Sequence, residues 1–291
     1  SNIILARVDD RHKAGALGLF FAGIPLGIGG GFLIAGLLGP ILGWRGTFLL
    51  MGALGIIALA ALVRLRDDPP DLSHQPTLAG NLAALFALYR AVPRALWASL
   101  AIIAAHAHTA TGAFVQLWLT SEKGLDPATA RATYGLLFVV VGLAGTFGSG
   151  LFCDWAQRRF GQDRAVTVFL ILLVIGPLLP VYRLAESGSA LFYAGMIGSI
   201  LFMTVLYGPL FAVLEELAPP RLKATATGFN MLVINIVAIG AVSLAIGYAS
   251  DRLAAAGSGQ SWTLPLLGAD ALALLALPFT WLALRSPRPV R

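Results

Sequence analysis

Residues 165–184 read AVTVFLILLVIGPLLPVYRL, twenty positions without an acidic residue and with one basic residue, Arg183, at the far end. A helix needs about 20 apolar residues to cross the roughly 30 Å hydrocarbon core of a bilayer, so this stretch predicts a membrane span. The rest of the chain repeats the pattern. Of the 291 residues, 58% are hydrophobic and 12% are charged, with a mean hydropathy of +0.82. A soluble domain of this size could not cover so much apolar surface with so few polar side chains. The net charge of +6 would suggest a nucleic-acid partner in a soluble protein. Here the basic residues belong to one side of a membrane, and no nucleic-acid partner is expected.

Outward from this span, similar windows lie at about 15–40, 47–65, 95–120, 132–153, 190–214, 224–247 and 263–284, separated by charged or Pro/Gly-rich joints. Eight spans are therefore expected, with both ends on one side. With the amino end inside, fifteen of the twenty Lys and Arg residues fall on inner segments. Arg45, Lys123, Arg131, Arg183 and Arg252 are left outside. That excess places both ends in the cytoplasm, in what reads as a bacterial inner membrane. Asp67, Asp68, Pro69, Pro70 and Asp71 open the longest joint, and an amphipathic stretch from Leu78 to Tyr89 could lie along the cytoplasmic surface. The expected organisation is residues 1–65, a cytoplasmic linker over 66–94, and a second bundle over 95–291.

Arg11-His12-Lys13-Ala14-Gly15-Ala16-Leu17-Gly18, at the start of the first span, matches Arg221-Leu222-Lys223-Ala224-Thr225-Ala226-Thr227-Gly228 at five of eight positions. The second copy stands at the same place six spans later. A six-helix repeat implies twelve spans in two related halves. Four would then be missing ahead of Ser1, where no signal peptide is visible and the beginning reads as a truncation.

Further residues carry a family resemblance. Gly18-Leu19-Phe20-Phe21-Ala22-Gly23-Ile24-Pro25-Leu26-Gly27, then Gly43-Trp44-Arg45-Gly46-Thr47-Phe48, resemble the fifth helix and the following turn of the major facilitator superfamily, most of all its spinster-like branch. Trp118, Gly150-Leu151-Phe152-Cys153-Asp154 with Arg158-Arg159, Pro219 to Ala226, and Gly247-Tyr248-Ala249-Ser250-Asp251 continue the likeness in family order. The resemblance implies an all-α membrane fold, with helices five to twelve of twelve present. It also implies a secondary transporter that works by alternating access on a small organic or amphipathic solute, lipid-like or anionic, with protons as a possible coupling partner. The rival readings are a drug or metabolite efflux carrier from another branch, and a non-transporting receptor or inactive fragment.

Intramembrane polar groups are costly unless they face a cavity or a partner. His106, Thr109 and Gln116 in the third span, and Thr204 and Tyr207 in the sixth, are the candidate cavity residues. His106 shares a face with Thr109, and His108 with Thr111. The plain alternative for each is an ordinary interhelical hydrogen bond or packing contact. Asp154, Arg158 and Arg159 are candidate gate residues by resemblance; as a simple anchor, the two arginines would satisfy the basic-inside rule alone. Gly23, Gly27 and Gly31 recur every four residues and are expected to form a close-packed seam. Asn230 and Asn235 are expected to bond between helices, and Glu215 and Glu216 to be solvated or to pair with Arg221 and Lys223. Asp270 requires a partner that the sequence does not identify.

No phosphate-binding loop, catalytic triad or metal motif stands out, so no catalysis, cofactor or metal is expected. Cys153 is the one cysteine, which excludes an internal disulfide.

Overall fold

The computed structural model describes residues 13–62, 77–161 and 163–287, and every regular element among them is helical. Arg7, Arg11, Arg64, Arg66, the Asp67–Asp71 run, Arg288 and Arg291 lie outside the described residues. Helix α1 (Lys13–Leu62) leaves helical geometry at Gly43, where φ is 65° and ψ is 175°, a conformation that suits a residue without a Cβ. Met51 Cε lies 3.1 Å from where a Cβ on Gly31 would sit. In a straight helix those two residues would be about 30 Å apart, so the limbs on either side of Gly43 pack against each other as two spans.

Helix α2 (Leu78–Ala91) starts at Thr77, whose hydroxyl accepts the Gly80 N–H at 3.2 Å, and meets α3 (Pro93–Ala113) at 109°. The bend is local chemistry. A proline disfavours helical geometry at the residue before it, and Val92 sits at φ −126° and ψ 83°. Then come α4 (Pro127–Phe160), α5 (Arg164–Leu184), α6 (Ala190–Leu217), α7 (Pro220–Ala255) and α8 (Thr263–Arg285). Six described helices are long and apolar enough to cross a membrane, and the bent pair α2–α3 makes a seventh. Eight were expected from the sequence; the kink at Gly43 lies within the first of these helices. Asp126 caps α4, accepting the Thr129 N–H at 2.9 Å and its hydroxyl at 3.0 Å, and these bonds hold its carboxyl below the ordinary value.

The described residues form two compact units, one within Ser1–Pro76 and Asp126–Phe147, the other within Thr77–Leu125 and Gly148–Arg291. In the first, α1 and the start of α4 touch backbone to backbone. A Cβ on Gly29 would fall 2.7 Å from Val139 N, one on Gly36 2.6 Å from Ala132 N, and one on Gly135 2.5 Å from Leu33 N. This corrects the expected seam, since among the described residues nothing lies within 4 Å of a Cβ on Gly23 or Gly27. Gly29 and Gly36 are seven residues apart and so lie on one face, and the small residues of α4 opposite them decide which glycines pack.

In the second unit α5 and α6 approach almost as closely. A Cβ on Gly195 would lie 2.5 Å from Tyr182 Cα, and one on Gly198 2.5 Å from Leu178 Cβ. Leu85, Ile102, Val168, Leu172, Leu179 and Leu214 are fully enclosed around the base of α3. Overpacking of a tight contact costs about 1–3 kcal/mol. Gly135→Leu is therefore expected to lower the thermal unfolding midpoint of the detergent-solubilised protein by several degrees, while Gly23→Ala leaves it in place; equal effects of the two would contradict the seam.

Candidate functional site

The sequence of α3 changes character at His106. The stretch His106-Ala107-His108-Thr109-Ala110-Thr111-Gly112-Ala113 combines a glycine with hydroxyl side chains that compete for backbone groups, and both weaken an α-helix. These eight residues are wound as a 3₁₀ helix, and the Thr111 hydroxyl donates to the His108 carbonyl at 2.8 Å. Runs of 3₁₀ helix longer than three or four residues are uncommon and mark hinges or strain. Packed against this run is a π-helical stretch of α7, Ile234–Ala241. Beside the 3₁₀ run, α6 is interrupted at Leu206.

The interruptions bring His106 and Tyr207 together. Their rings meet edge to face with centroids 4.8 Å apart, and Phe211 lies 6.3 Å from the imidazole. His106 is buried and its Nδ1 lies 2.7 Å from the Ile102 carbonyl, which accepts from it. The Tyr207 hydroxyl donates to Met231 Sδ at 3.2 Å. Thr204 spends its hydroxyl on the Ile200 carbonyl of its own helix at 2.9 Å. Thr109 is half-buried in the 3₁₀ segment. Gln116 sits in the short helix Val115–Ser121, its amide oxygen and nitrogen buried and without a hydrogen-bond partner among the described residues. Of the five candidate cavity residues, His106 and Tyr207 are in direct ring contact.

Nearby, α2, α3 and α7 enclose a cavity of about 600 Å³ with walls that include Phe86, Tyr89, Trp97 and Phe229, and with Arg90 at its edge. A triangle of polar groups closes one side: Tyr89 and Ser99 oxygens lie 3.0 Å apart, the Ser99 hydroxyl donates to Asn230 Oδ1 at 2.7 Å, and Asn230 Nδ2 donates to the Tyr89 oxygen at 3.3 Å. Asn230 thus bonds between helices as expected. Asn235 does not, because it is exposed and donates to the Met231 carbonyl of its own helix.

Asp270 finds the partners that the sequence left unnamed. Its Oδ2 accepts from Arg183 Nε at 2.9 Å and its Oδ1 from His108 Nδ1 at 2.6 Å, and His108 Nε2 lies 2.9 Å from Ser199 Oγ. The side chains of Arg183, His108 and Asp270 are 0%, 1% and 2% exposed. Arg183 is therefore no loop cation: it ends α5 inside the protein, with its guanidinium 4.9 Å from the Trp118 and Tyr182 ring centres. Its place at the very end of the 165–184 window is what makes the sequence alone count it with the outer loops. An isolated arginine and an isolated aspartate in two apolar windows were the available signal for a pair. Towards the start of α8, the Trp118 indole N–H donates to Thr263 Oγ1 at 2.8 Å, and Glu122 accepts from Thr263 Oγ1 at 2.6 Å and from the Thr263 N–H at 3.0 Å.

At the far ends of the helices, Arg164 Nη2 donates to Asp154 Oδ1 at 2.8 Å, and Arg164 Nε donates to Gln157 at 3.0 Å and lies 3.3 Å from Glu216. Arg164, not Arg221 or Lys223, is thus the partner of Glu216; Glu215 faces the Thr227 hydroxyl at 3.4 Å. Arg158 and Arg159 are exposed, and Arg159 lies over the Phe160 ring at 5.7 Å. Stripping one member from a buried ion pair costs about 3–5 kcal/mol, against up to about 1 kcal/mol for an exposed pair. Asp270→Ala is thus expected to lower the stability of the detergent-solubilised protein several-fold more than Asp154→Ala; equal losses in chemical denaturation would refute that ranking.

Comparison with known proteins agrees with this architecture. The model of the Major Facilitator Superfamily matches residues 1–242. Two crystal structures of a bacterial homolog to the human lysosomal transporter Spinster, in inward-facing unoccupied and occupied conformations, are similar in fold. Each has a TM-score of 0.71 and 19% identity; the matches cover 95% and 98% of this chain, and 71% and 72% of theirs. The extent of the family match and the run of apolar helices together establish that this chain belongs to the Major Facilitator Superfamily, as an integral-membrane secondary transporter of a small molecule.

Proposed function

We propose that the chain carries an amphipathic, lipid-like or anionic solute by alternating access with proton coupling, as a spinster-like member of its family, in a bacterial inner membrane with both ends cytoplasmic. The observation that carries this reading is the contact of two broken helices at one place. His106, at the start of the 3₁₀ run of α3, meets Tyr207, next to the interruption of α6, and Tyr207 in turn bonds to Met231 of α7. Membrane helices leave α geometry where freed backbone groups find protein or a cavity, and carriers build their substrate sites at such breaks. Tyr207 presents an apolar ring and a hydroxyl, a pairing suited to an amphipathic ligand. Thr109, Gln116 and Thr204 complete the proposed wall. The nearby aromatic cavity, with one guanidinium at its edge, is within the usual ligand range of about 300–1,000 Å³ and supports an anionic, largely apolar solute. The weight of Lys and Arg on one set of loops supports the orientation.

The proposed gate is the Asp154–Arg164–Glu216 cluster, with Arg158 and Arg159 as exposed cations at its rim. It ties α4, α5 and α6 together at one end, where a change of partner would free them to move.

A ligand at 100 times its Kd stabilises a protein by about 2.7 kcal/mol. Thermal unfolding of the detergent-purified chain is expected to shift upward by several degrees with lysolipids or sphingoid lipids, and far less with sugars or cationic drugs. His106→Ala and Tyr207→Ala are expected to abolish the shift. Shifts that survive in both variants would remove the assigned site, and a response confined to polar solutes would move the substrate class. For the gate, Asp154→Ala and Arg164→Gln are each expected to speed maleimide labelling of the buried Cys153 by several-fold. Unchanged labelling in both would exclude the gate.

A further inference from the structure

The end of the second unit that carries the Asp154–Arg164–Glu216 cluster also holds a cavity of about 460 Å³, lined by none of the residues of the proposed solute wall. Three helix ends build it. α3 starts at Pro93, α5 starts at Arg164 and α8 stops at Arg285, and the last turns of α8 pack against α3 and α5. Arg94, Asp163, Phe169 and Trp281 supply the polar and the aromatic parts of its wall.

The polar part is an ion pair between Arg94 and Asp163, whose side chains are 5% and 12% exposed. Arg94 donates to one oxygen of Asp163, and the Ala165 N–H donates to the other at 3.0 Å. The pair is neutral as a whole, and its carboxylate is engaged through both oxygens. Arg164, next along α5, is balanced by Asp154 and Glu216. Arg285 is not. It is exposed, its guanidinium stands 4.7 Å from the Trp281 ring centre, and it has no carboxylate partner among the described residues. The wall and its rim therefore carry one cation in excess.

The apolar part places the cavity relative to the bilayer. The Phe169 and Trp281 rings meet between α5 and α8 with centroids 5.6 Å apart. From Phe169 the exposed Leu170 and Leu173 continue along α5 towards the middle of the span. Trp281 is itself part-exposed and lies one turn from the end of α8. Tryptophan and arginine at the end of a span mark the boundary between hydrocarbon and headgroups.

We propose that this cavity seats the headgroup of an anionic phospholipid from the surrounding leaflet. The phosphodiester sits between Arg285 and Arg94, the glycerol rests on the Phe169 and Trp281 rings, and an acyl chain follows Leu170 and Leu173. One phosphodiester carries one negative charge, which matches the one unbalanced guanidinium. A guanidinium also offers two parallel N–H bonds to phosphate oxygens, which a bare ammonium does not. A zwitterionic headgroup would bring its own cation to a rim that already has one in excess. A soluble phosphate would leave the aromatic wall and the leucines of α5 unused. Seated there, the lipid joins the ends of α3, α5 and α8, independently of any transported solute.

The test is tryptophan quenching of the full chain in phosphatidylcholine vesicles, with a lipid brominated on its acyl chain as the probe. Bromine quenches the indoles that it touches, and the part of the quenching lost in Trp281→Phe reports this site. Brominated phosphatidylglycerol is expected to produce that part at about a five-fold lower mole fraction than brominated phosphatidylcholine, the effect of one basic residue near an anionic surface. Arg285→Gln changes an exposed side chain and is expected to abolish the preference. Arg221→Gln, which removes another exposed cation at the same end, is expected to leave it in place, as is His106→Ala in the proposed solute wall. Equal quenching by the two lipids would overturn the proposal, as would a preference that survives Arg285→Gln or falls equally in Arg221→Gln. Stronger quenching by brominated phosphatidylethanolamine would assign the cavity to a zwitterionic lipid, and displacement by excess glycerol phosphate would assign it to a soluble anion; either result overturns it. Loss of the preference in His106→Ala would merge the cavity with the solute site and equally refute it.

Discussion

Asp270 shared between Arg183 and His108 is the contact on which much of the second unit turns. Water is absent from the middle of a bilayer, and an isolated charge there has to be neutralised by the protein. Three side chains from three spans meet that demand, and Ser199 from a fourth completes the set. Apolar side chains pack about equally well in several registers, and a polar cluster does not. Slipping any one of these helices by a turn, about 5.4 Å, would strand a charge in hydrocarbon. The cluster therefore fixes register where leucine and alanine could not.

Around it the helices depart from regularity in compensating ways. The eight 3₁₀ residues of α3 rise about 2.0 Å each, so this stretch is longer and thinner than an α-helix of the same count, while the π turn of α7 beside it is wider. A thin segment beside a wide one keeps the interior filled. The same place presents His106 to Tyr207 on one side and His108 to Asp270 on the other, so the alternation of two histidines along a tight helix separates two chemistries by a single residue.

Much of the fold was legible because bilayer thickness sets helix length, and a window of hydropathy measures that length directly. What escaped is what depends on partners. Gly23, Gly27 and Gly31 have a seam's spacing, yet the glycines packed on α4 are Gly29 and Gly36, since Ala132 and Gly135 lie opposite them, and Gly31 meets Met51 instead. Arg183 stands next to the last residue of its apolar window and so reads as a loop cation, and its partner Asp270, 87 residues away, reveals it as an interior residue. Glu122 gave no sign of capping α8, a contact made across 141 residues. At the candidate site, His106 and Tyr207 could be chosen from the rarity of polar groups in the membrane. The 3₁₀ run that starts at His106 could not, because glycine and hydroxyl side chains weaken an α-helix without fixing which geometry replaces it.

Trp118 has a cation on its ring from each of two directions, the Arg183 guanidinium at 4.9 Å and the Lys123 ammonium at 5.3 Å, while its N–H is held by Thr263. Excited indole shifts electron density from its pyrrole ring towards its benzene ring, and the emission colour follows the local field. A fully enclosed indole with two cations over its ring is thus a built-in optical probe, and with the other five tryptophans replaced its spectrum would report the placement of Arg183 without any attached dye.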